Sequence, residues 1–489
     1  MTISAPHPQS PALDAGPDPR RWLALALLAV AQFVVVLDAS IMNIALPSIS
    51  DDLGVPTEDL SWIINGYVLT FGGFLLLGGR LADLLGRRRI FVIGLVLFAA
   101  ASLAGGLSAT QGQLVAARAV QGLGGALLAP AALSLLTTLF PPGAERNKAL
   151  GVWGAVAGSG AAAGVLLGGI ITDALGWEWV LFINVPIGVV TAALAFFLIK
   201  ESRVEMAGRR FDLAGAAAVT GGLSLAVYAI VGAESAGWGS TRTIALFAGA
   251  AALLALFVVI ERRTAAPLVP FGIFSLRTVR GANAAMLLVG GAMFGLFFFL
   301  SIYMQQVLGY SAVETGVAQL PLAGTVVVAA GAVSPLVTRL GSKPVLLTGL
   351  VLFTAGMAWF ARMPADGSYV ADLLGPSLLV GLGLAATFVP LTVTAIEGVS
   401  THQYGLASGL INTSQQIGGA LGLAILAAVA NTRTSNLLTS GSDPTAALTE
   451  GFQTALLVGA GLSAVAIVLV AVFAGGTPAR RSSPEPALV

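Results

Sequence analysis

About fourteen stretches of this 489-residue chain are each long and apolar enough to cross a bilayer, which leaves few folds open. A hydrocarbon core of about 30 Å needs roughly 20 apolar residues in a helix. Such runs fall at 22–47, 61–79, 90–108, 112–140, 148–173, 178–199, 213–233 and 243–260. They continue at 278–308, 312–338, 343–361, 371–397, 404–430 and 452–474. None shows the polar/apolar alternation of a barrel strand. Helices satisfy their own backbone in lipid, so the predicted fold class is an all-α polytopic membrane protein. Charge agrees: only 10% of positions are charged, against about a quarter in a soluble domain. The 61 glycines suit helices that pack backbone to backbone. The first apolar run is too long for a cleaved signal peptide and reads as an uncleaved span.

Loop charge orients the spans. With the N-terminus in the cytoplasm, only Arg242, Arg362 and Arg433 of the 24 basic residues fall outside, and Arg118 lies within a span. A missed or invented span would scramble that bias, so both termini are expected in the cytoplasm. The chain divides into a tail at 1–21, a six-helix bundle at 22–199 and a second bundle at 278–474, with a cytoplasmic tail at 475–489. Between the bundles, 200–277 holds basic loops and two inserted helices. A weak repeat supports the two halves. Gly79–Arg89 reads GRLADLLGRRR, and Ser334–Lys343 reads SPLVTRLGSK at the corresponding turn, without the acid. Duplicated halves are a common way to build a transport site at the membrane midplane.

Several classes of function are excluded. With no cysteine and with His7 and His402 far apart, there is no disulfide framework, thiolate metal site or cysteine nucleophile. No phosphate-binding Gly-x-x-x-x-Gly-Lys-Ser/Thr loop occurs, and no catalytic cluster is visible. The chain therefore reads as neither an enzyme nor an ATP-driven pump, with no cofactor, metal or nucleic-acid partner. Its expected partners are a small-molecule substrate, protons and membrane lipid, and it is expected to act as a monomer.

The chemistry sits in a few residues. Gly79 and Gly86 permit close approach and a tight turn, while Asp83, Arg87 and Arg88 supply charges for a latch that breaks as the halves rock. Positive-inside anchoring is the plainer role of the same arginines. Asp38 is a carboxylate inside an apolar helix, costly unless paired, hydrated or protonated. It is the first candidate for carrying a proton, or else a structural acid bonded to Asn43 near the outer end of its span. Arg118 is equally costly in its span, a functional charge or else a structural tie between helices, and Gln121, one turn along, can satisfy part of the guanidinium. Gly160, Gly164, Gly168 and Gly169 form a smooth face for a close helix crossing. Asn43, Gln121, Phe294, Phe298, Tyr303, Asn412, Gln415 and Gln416 are candidate linings of a substrate cavity; the aromatic ones suit flat or cationic ligands or else face lipid, and Asn412, Gln415 and Gln416 line the cavity or else bond between helices.

At these motifs the chain resembles the major facilitator superfamily over nearly its whole length. Gly79–Arg89 matches the family's loop motif, and Arg118–Gly124 (RAVQGLG) matches a second one. Leu37–Pro47 (LDASIMNIALP) and Trp177–Pro186 (WEWVLFINVP) are similar to stretches of the fourteen-helix drug:proton antiporter branch, where the position of Glu178 commonly holds Arg. The glycine stripe resembles the exporters' antiporter motif, with Val165 where that motif has Pro. The resemblance implies two six-helix bundles plus two extra central helices, proton coupling through Arg118, and efflux of small hydrophobic or cationic drugs or antibiotics by alternating access. The implied location is a bacterial inner membrane. The alternatives are a metabolite facilitator or importer on the same fold and, less favoured, a non-transporting receptor.

Overall fold

The computed structural model describes residues 20–140, 144–202, 212–264, 267–269, 271–399 and 404–473. Among these there are helices and turns but no strand. The first group comprises α1 (Arg21–Leu53), α2 (Ser61–Leu85), α3 (Arg87–Gly106), α4 (Gln111–Leu139), α5 (Ala144–Leu175), the single turn α6 (Trp179–Phe182) and α7 (Asn184–Leu198). An intervening pair follows, α8 (Leu213–Ala236) and α9 (Thr241–Arg263). The last group comprises α10 (Arg277–Ile302), α11 (Ala312–Leu340), α12 (Ser342–Phe360), α13 (Leu374–Ile396), α14 (Tyr404–Thr439) and α15 (Pro444–Phe473). Twelve described helical stretches are long and apolar enough to span a bilayer, and two shorter apolar ones, 61–75 and 163–175, lie within α2 and α5. The expected all-helical polytopic fold is borne out. The sixth expected span is broken near Ile183, where α6 gives way to α7.

Helix ends follow local chemistry. The Thr110 and Ser240 hydroxyls accept from backbone N–H groups in the first turns of α4 and α9. Ser311 and Glu314 form a reciprocal capping box on α11. Gly86 and Gly341 join α2 to α3 and α11 to α12 with φ of +112° and +86°, the left-handed region that favours glycine. These two turns occupy the equivalent places that the sequence repeat singled out. They mark one end of the molecule, here named the basic end after Arg87, Arg88 and Arg89.

Within the first group α4 packs on α2 and α3, and α1 on α5; within the last, α10 packs on α14 and α15, and α12 on α13. The glycine stripe explains the α1–α5 contact. A Cβ on Gly160, Gly164 or Gly168 would meet Phe33, Leu37 and Ser40, or Ile41, all on α1, at 3.3 Å or closer. Gly169 points elsewhere, with its missing Cβ 2.4 Å from the Ala312 carbonyl of α11. The two groups meet along α5–α11 and α2–α14, and α8 lies across the second seam, touching both α2 and α14. An apolar cleft of about 770 Å³ opens between α11, α12 and α13, lined by residues such as Val328, Leu336, Leu352 and Leu382.

Candidate functional site

Asp38 lies midway along α1 and is fully buried, yet three polar side chains donate to it. Helix α4 contributes Arg118, 1% exposed, whose Nη1 donates to Asp38 Oδ2 at 2.6 Å. Gln121, one turn further along α4, donates from Nε2 to Asp38 Oδ1 at 2.7 Å. Asn184, at the start of α7, donates from Nδ2 to the same oxygen at 2.8 Å. Both amides also donate to the Ser102 hydroxyl of α3, at 2.6 Å from Gln121 and 3.1 Å from Asn184. One carboxylate thus ties together α1, α4 and α7, and α3 through Ser102.

The guanidinium is held on its other sides too. Arg118 donates to the Gln121 Oε1 and, from Nε, to the Ile63 carbonyl at 3.4 Å. Its Cζ sits 4.5 Å from the centre of the Tyr67 ring, where the face of the ring attracts a cation. A buried ion pair persists when its remaining donors and acceptors are satisfied, and here neutral amides and a carbonyl do that. Within this cluster the Tyr67 hydroxyl and Asn184 Oδ1 are buried with no hydrogen-bond partner among the described residues.

Three sequence expectations meet here: Asp38, Arg118 and Gln121 form one cluster. Asn43 does not join it, because its amide donates back to the Ala39 carbonyl. Asn43 serves the far end of α1 instead. Its carbonyl accepts from Ser301 at 2.7 Å, and the next carbonyl, Ile44, accepts from Gln305 Nε2 at 3.1 Å. Nearby, Asp173 of α5 accepts from the first-turn N–H of Val313 on α11 at 3.1 Å. Gly316 meets the Val165 carbonyl, with its missing Cβ 2.5 Å away. The two groups are therefore closed on each other at the end opposite the basic loops. Val165 keeps α5 an unbroken helix and offers its carbonyl to that seam. Glu178 folds back over Gly176, within 2.6 Å of where a Cβ would stand.

The loop residues behave differently from the core. Gly79 lies against Pro130 of α4, its missing Cβ 3.5 Å from that side chain. The Arg87 guanidinium bonds Thr138, and its backbone N–H donates to the Ser202 carbonyl at 2.9 Å. Arg88 donates to the Ile199 carbonyl at 3.2 Å. The Glu201 carboxylate accepts from the backbone N–H groups of Arg88 and Arg89, both at 3.1 Å, so it caps α3 from another part of the chain. These contacts lie within the first group of helices. The Asp83 side chain lies outside the described residues.

The aromatic candidates are core residues. Phe298 is buried edge-on to Phe299, with ring centres 5.1 Å apart. Tyr303 is fully buried and its hydroxyl donates to the Pro364 carbonyl. Phe294 packs over Gly419 of α14. Gln415 and Gln416 are half-buried at backbone crossings with Gly290 of α10 and Gly72 of α2, and Asn412 is exposed. Sequence reasoning missed Asn184, Ser102, Tyr67 and Glu201. The one available signal was that Asn184 lies in the Trp177–Pro186 segment.

Residues 28–423 match the profile of the Major Facilitator Superfamily. The chain belongs to the major facilitator superfamily. The resemblance read from Gly79–Arg89 and Arg118–Gly124 is thereby borne out, and this facilitator-family protein is a transporter rather than an enzyme. It is 41% identical over 475 residues to the puromycin resistance protein pur8 of Streptomyces alboniger, covering 96% of this chain and 94% of that one. It is 42% identical over 415 residues to the cephamycin export protein CmcT of Amycolatopsis lactamdurans, covering 84% and 85%. The tetracenomycin C resistance and export protein of Streptomyces glaucescens is 35% identical over 86% of this chain and 77% of its own. In fold, the facilitator resembles an auto-inhibited POT family peptide transporter, with TM-score 0.67, 15% identity and coverage of 95% and 99%. It equally resembles a bacterial homolog of the human lysosomal transporter Spinster in its inward-facing, unoccupied conformation, with TM-score 0.67, 16% identity and coverage of 93% and 97%.

Proposed function

We propose that this facilitator is a proton-coupled exporter of small hydrophobic or cationic antibiotics, working by alternating access in a bacterial inner membrane with both termini cytoplasmic. The observation that carries the reading is the fully buried Asp38–Arg118 pair at 2.6 Å. A proton arriving at Asp38 cancels the charge that holds Arg118. The amides of Gln121 and Asn184, which now donate to a carboxylate, then face a neutral acid that must donate as well as accept. The network cannot stay as it is, and its members sit on helices α1, α3, α4 and α7. Tyr67 and Asn184 Oδ1 offer spare hydrogen-bonding capacity for the exchange.

Helix α1 links that event to access. Asp38 and the far-end ties at Asn43 and Ile44 lie within two turns of one helix. A shift of α1 on protonation is felt directly where the two groups of helices are closed on each other. In this reading the arginine loop with Glu201 fixes the basic end of the first bundle, and the seams α5–α11 and α2–α14 are where the halves rock. The substrate class is supported by the relatives named for puromycin resistance and for cephamycin and tetracenomycin C export.

Inverted membrane vesicles test the proposal. Acidifying the lumen should drive accumulation of an exported antibiotic from such a panel, and collapsing the pH gradient should abolish it. Equilibration of substrate that ignores the gradient would identify a uniporter that works by facilitated diffusion instead. An Asp38→Asn protein that retains full proton-driven accumulation would overturn the coupling role.

A further inference from the structure

A second pair of carboxyl groups, remote in sequence from Asp38, is buried at the foot of the inserted helices. Asp212 caps α8 and is 4% exposed; Glu261 ends α9 and is 3% exposed. Asp212 Oδ1 accepts from the Gly215 N–H at 2.7 Å, while Oδ2 is buried with no hydrogen-bond donor among the described residues. The two carboxyl groups lie beside each other, and neither can donate to the other while both are ionised. Glu261 in turn accepts from the backbone N–H groups of Leu268 and Val269, at 3.2 and 3.0 Å, and so closes the connector that leads to α10.

The surroundings supply no described cation. Among the described residues neither carboxyl lies within ion-pair distance of a basic group. Arg262 and Arg263, the charged neighbours on α9, are exposed. Leu268 packs against Leu77 of α2 and Ala216 of α8, with Phe74 and Leu81 of α2 beside them. The side chains of Arg80, Asp83, Arg209 and Arg210 lie outside the described residues. Two ionised carboxylates in contact, both out of water, repel each other and are poorly solvated. One proton between them removes the repulsion and gives Asp212 Oδ2 its missing bond.

We infer that Asp212 and Glu261 share a bound proton, and that this proton fastens Leu268 and Val269 between α8 and α2. The site is separate from Asp38 and does not depend on the transport cycle proposed above. It makes the seam spanned by α8 sensitive to pH at the basic end. The stabilisation is present while the proton is bound and disappears as rising pH removes it, because the pair then carries two negative charges in a space built for one.

Asp212→Asn mimics the protonated state. Its carbonyl can still accept from Gly215, and its amide can donate to Glu261 without any proton. Infrared difference spectroscopy on purified full-length protein should show a protonated-carboxyl band at neutral pH that Asp212→Asn removes and Asp38→Asn leaves in place. The melting temperature of the wild type should fall as pH is raised from neutral to mildly alkaline, and that of Asp212→Asn should fall markedly less. A band that survives in Asp212→Asn, or identical pH dependence in the two proteins, would overturn the inference. If Asp212→Asn fails to fold, Glu261→Gln provides the same spectroscopic comparison, with loss of the band expected and its retention decisive against the shared proton.

Discussion

Replacing Asp38 by Asn keeps the shape of the side chain and removes the anion bonded to Arg118. The guanidinium is 1% exposed, so it cannot turn to water, and it cannot shed its charge. What remains around it is neutral: the Ile63 carbonyl, the Gln121 carbonyl oxygen and the Tyr67 ring. Orphaning one member of a buried pair costs about 3–5 kcal/mol, roughly two to three and a half powers of ten in the folded-to-unfolded ratio. Arg118→Gln should cost less. Asp38 then still accepts from Gln121 and Asn184 at 2.7 and 2.8 Å, and a carboxylate can take up a proton. The double variant removes both charges, so its cost should fall short of the sum of the two single costs by about 2–3 kcal/mol, the upper range of coupling between contacting residues, and it should be more stable than Asp38→Asn alone. Thermal melting of the purified full-length protein in one detergent, for the wild type, both single variants and the double, measures this order. A double variant no more stable than Asp38→Asn would refute the claim that an uncompensated buried charge is what the pair prevents.

Three other outcomes follow from the same geometry. Asn184→Leu deletes donors to Asp38 and Ser102, and bonds to charged groups are worth about 1.5–3 kcal/mol; melting should drop and proton-driven transport should fall with expression corrected for. Gly422→Val places side-chain atoms where even a Cβ would stand 2.1 Å from Gly291 Cα, so overpacking of about 1–3 kcal/mol or more should lower the yield of monodisperse protein, while Gly324→Val, facing open space, should not. Asp173→Asn weakens a charge at the N-terminus of α11 by about 0.3–1 kcal/mol, so spin-label distances across that end should shift toward the open population without loss of folded protein.

Much of this molecule was legible before any coordinates. The span pattern, the turns at Gly86 and Gly341 and the costly Asp38 and Arg118 can all be read in one dimension, because lipid penalises every charge and unpaired backbone group in the same way. The glycine stripe on α5 was equally plain as a packing face, since its spacing is that of one side of a helix. Tertiary structure decided the partners. Asp38 lies 80 residues from Arg118 and 146 from Asn184, and neutral residues such as Asn184, Ser102 and Tyr67 look like ordinary packing until a charge is brought beside them. The same holds for Glu201, a loop acid until it is seen capping α3, and for Asp212 and Glu261, which lie 49 residues apart and are brought together only by the packing of α8 on α9. Sequence determined which groups lipid cannot tolerate alone, because that penalty is local; only the fold decided what satisfies them, because the satisfying group comes from another helix.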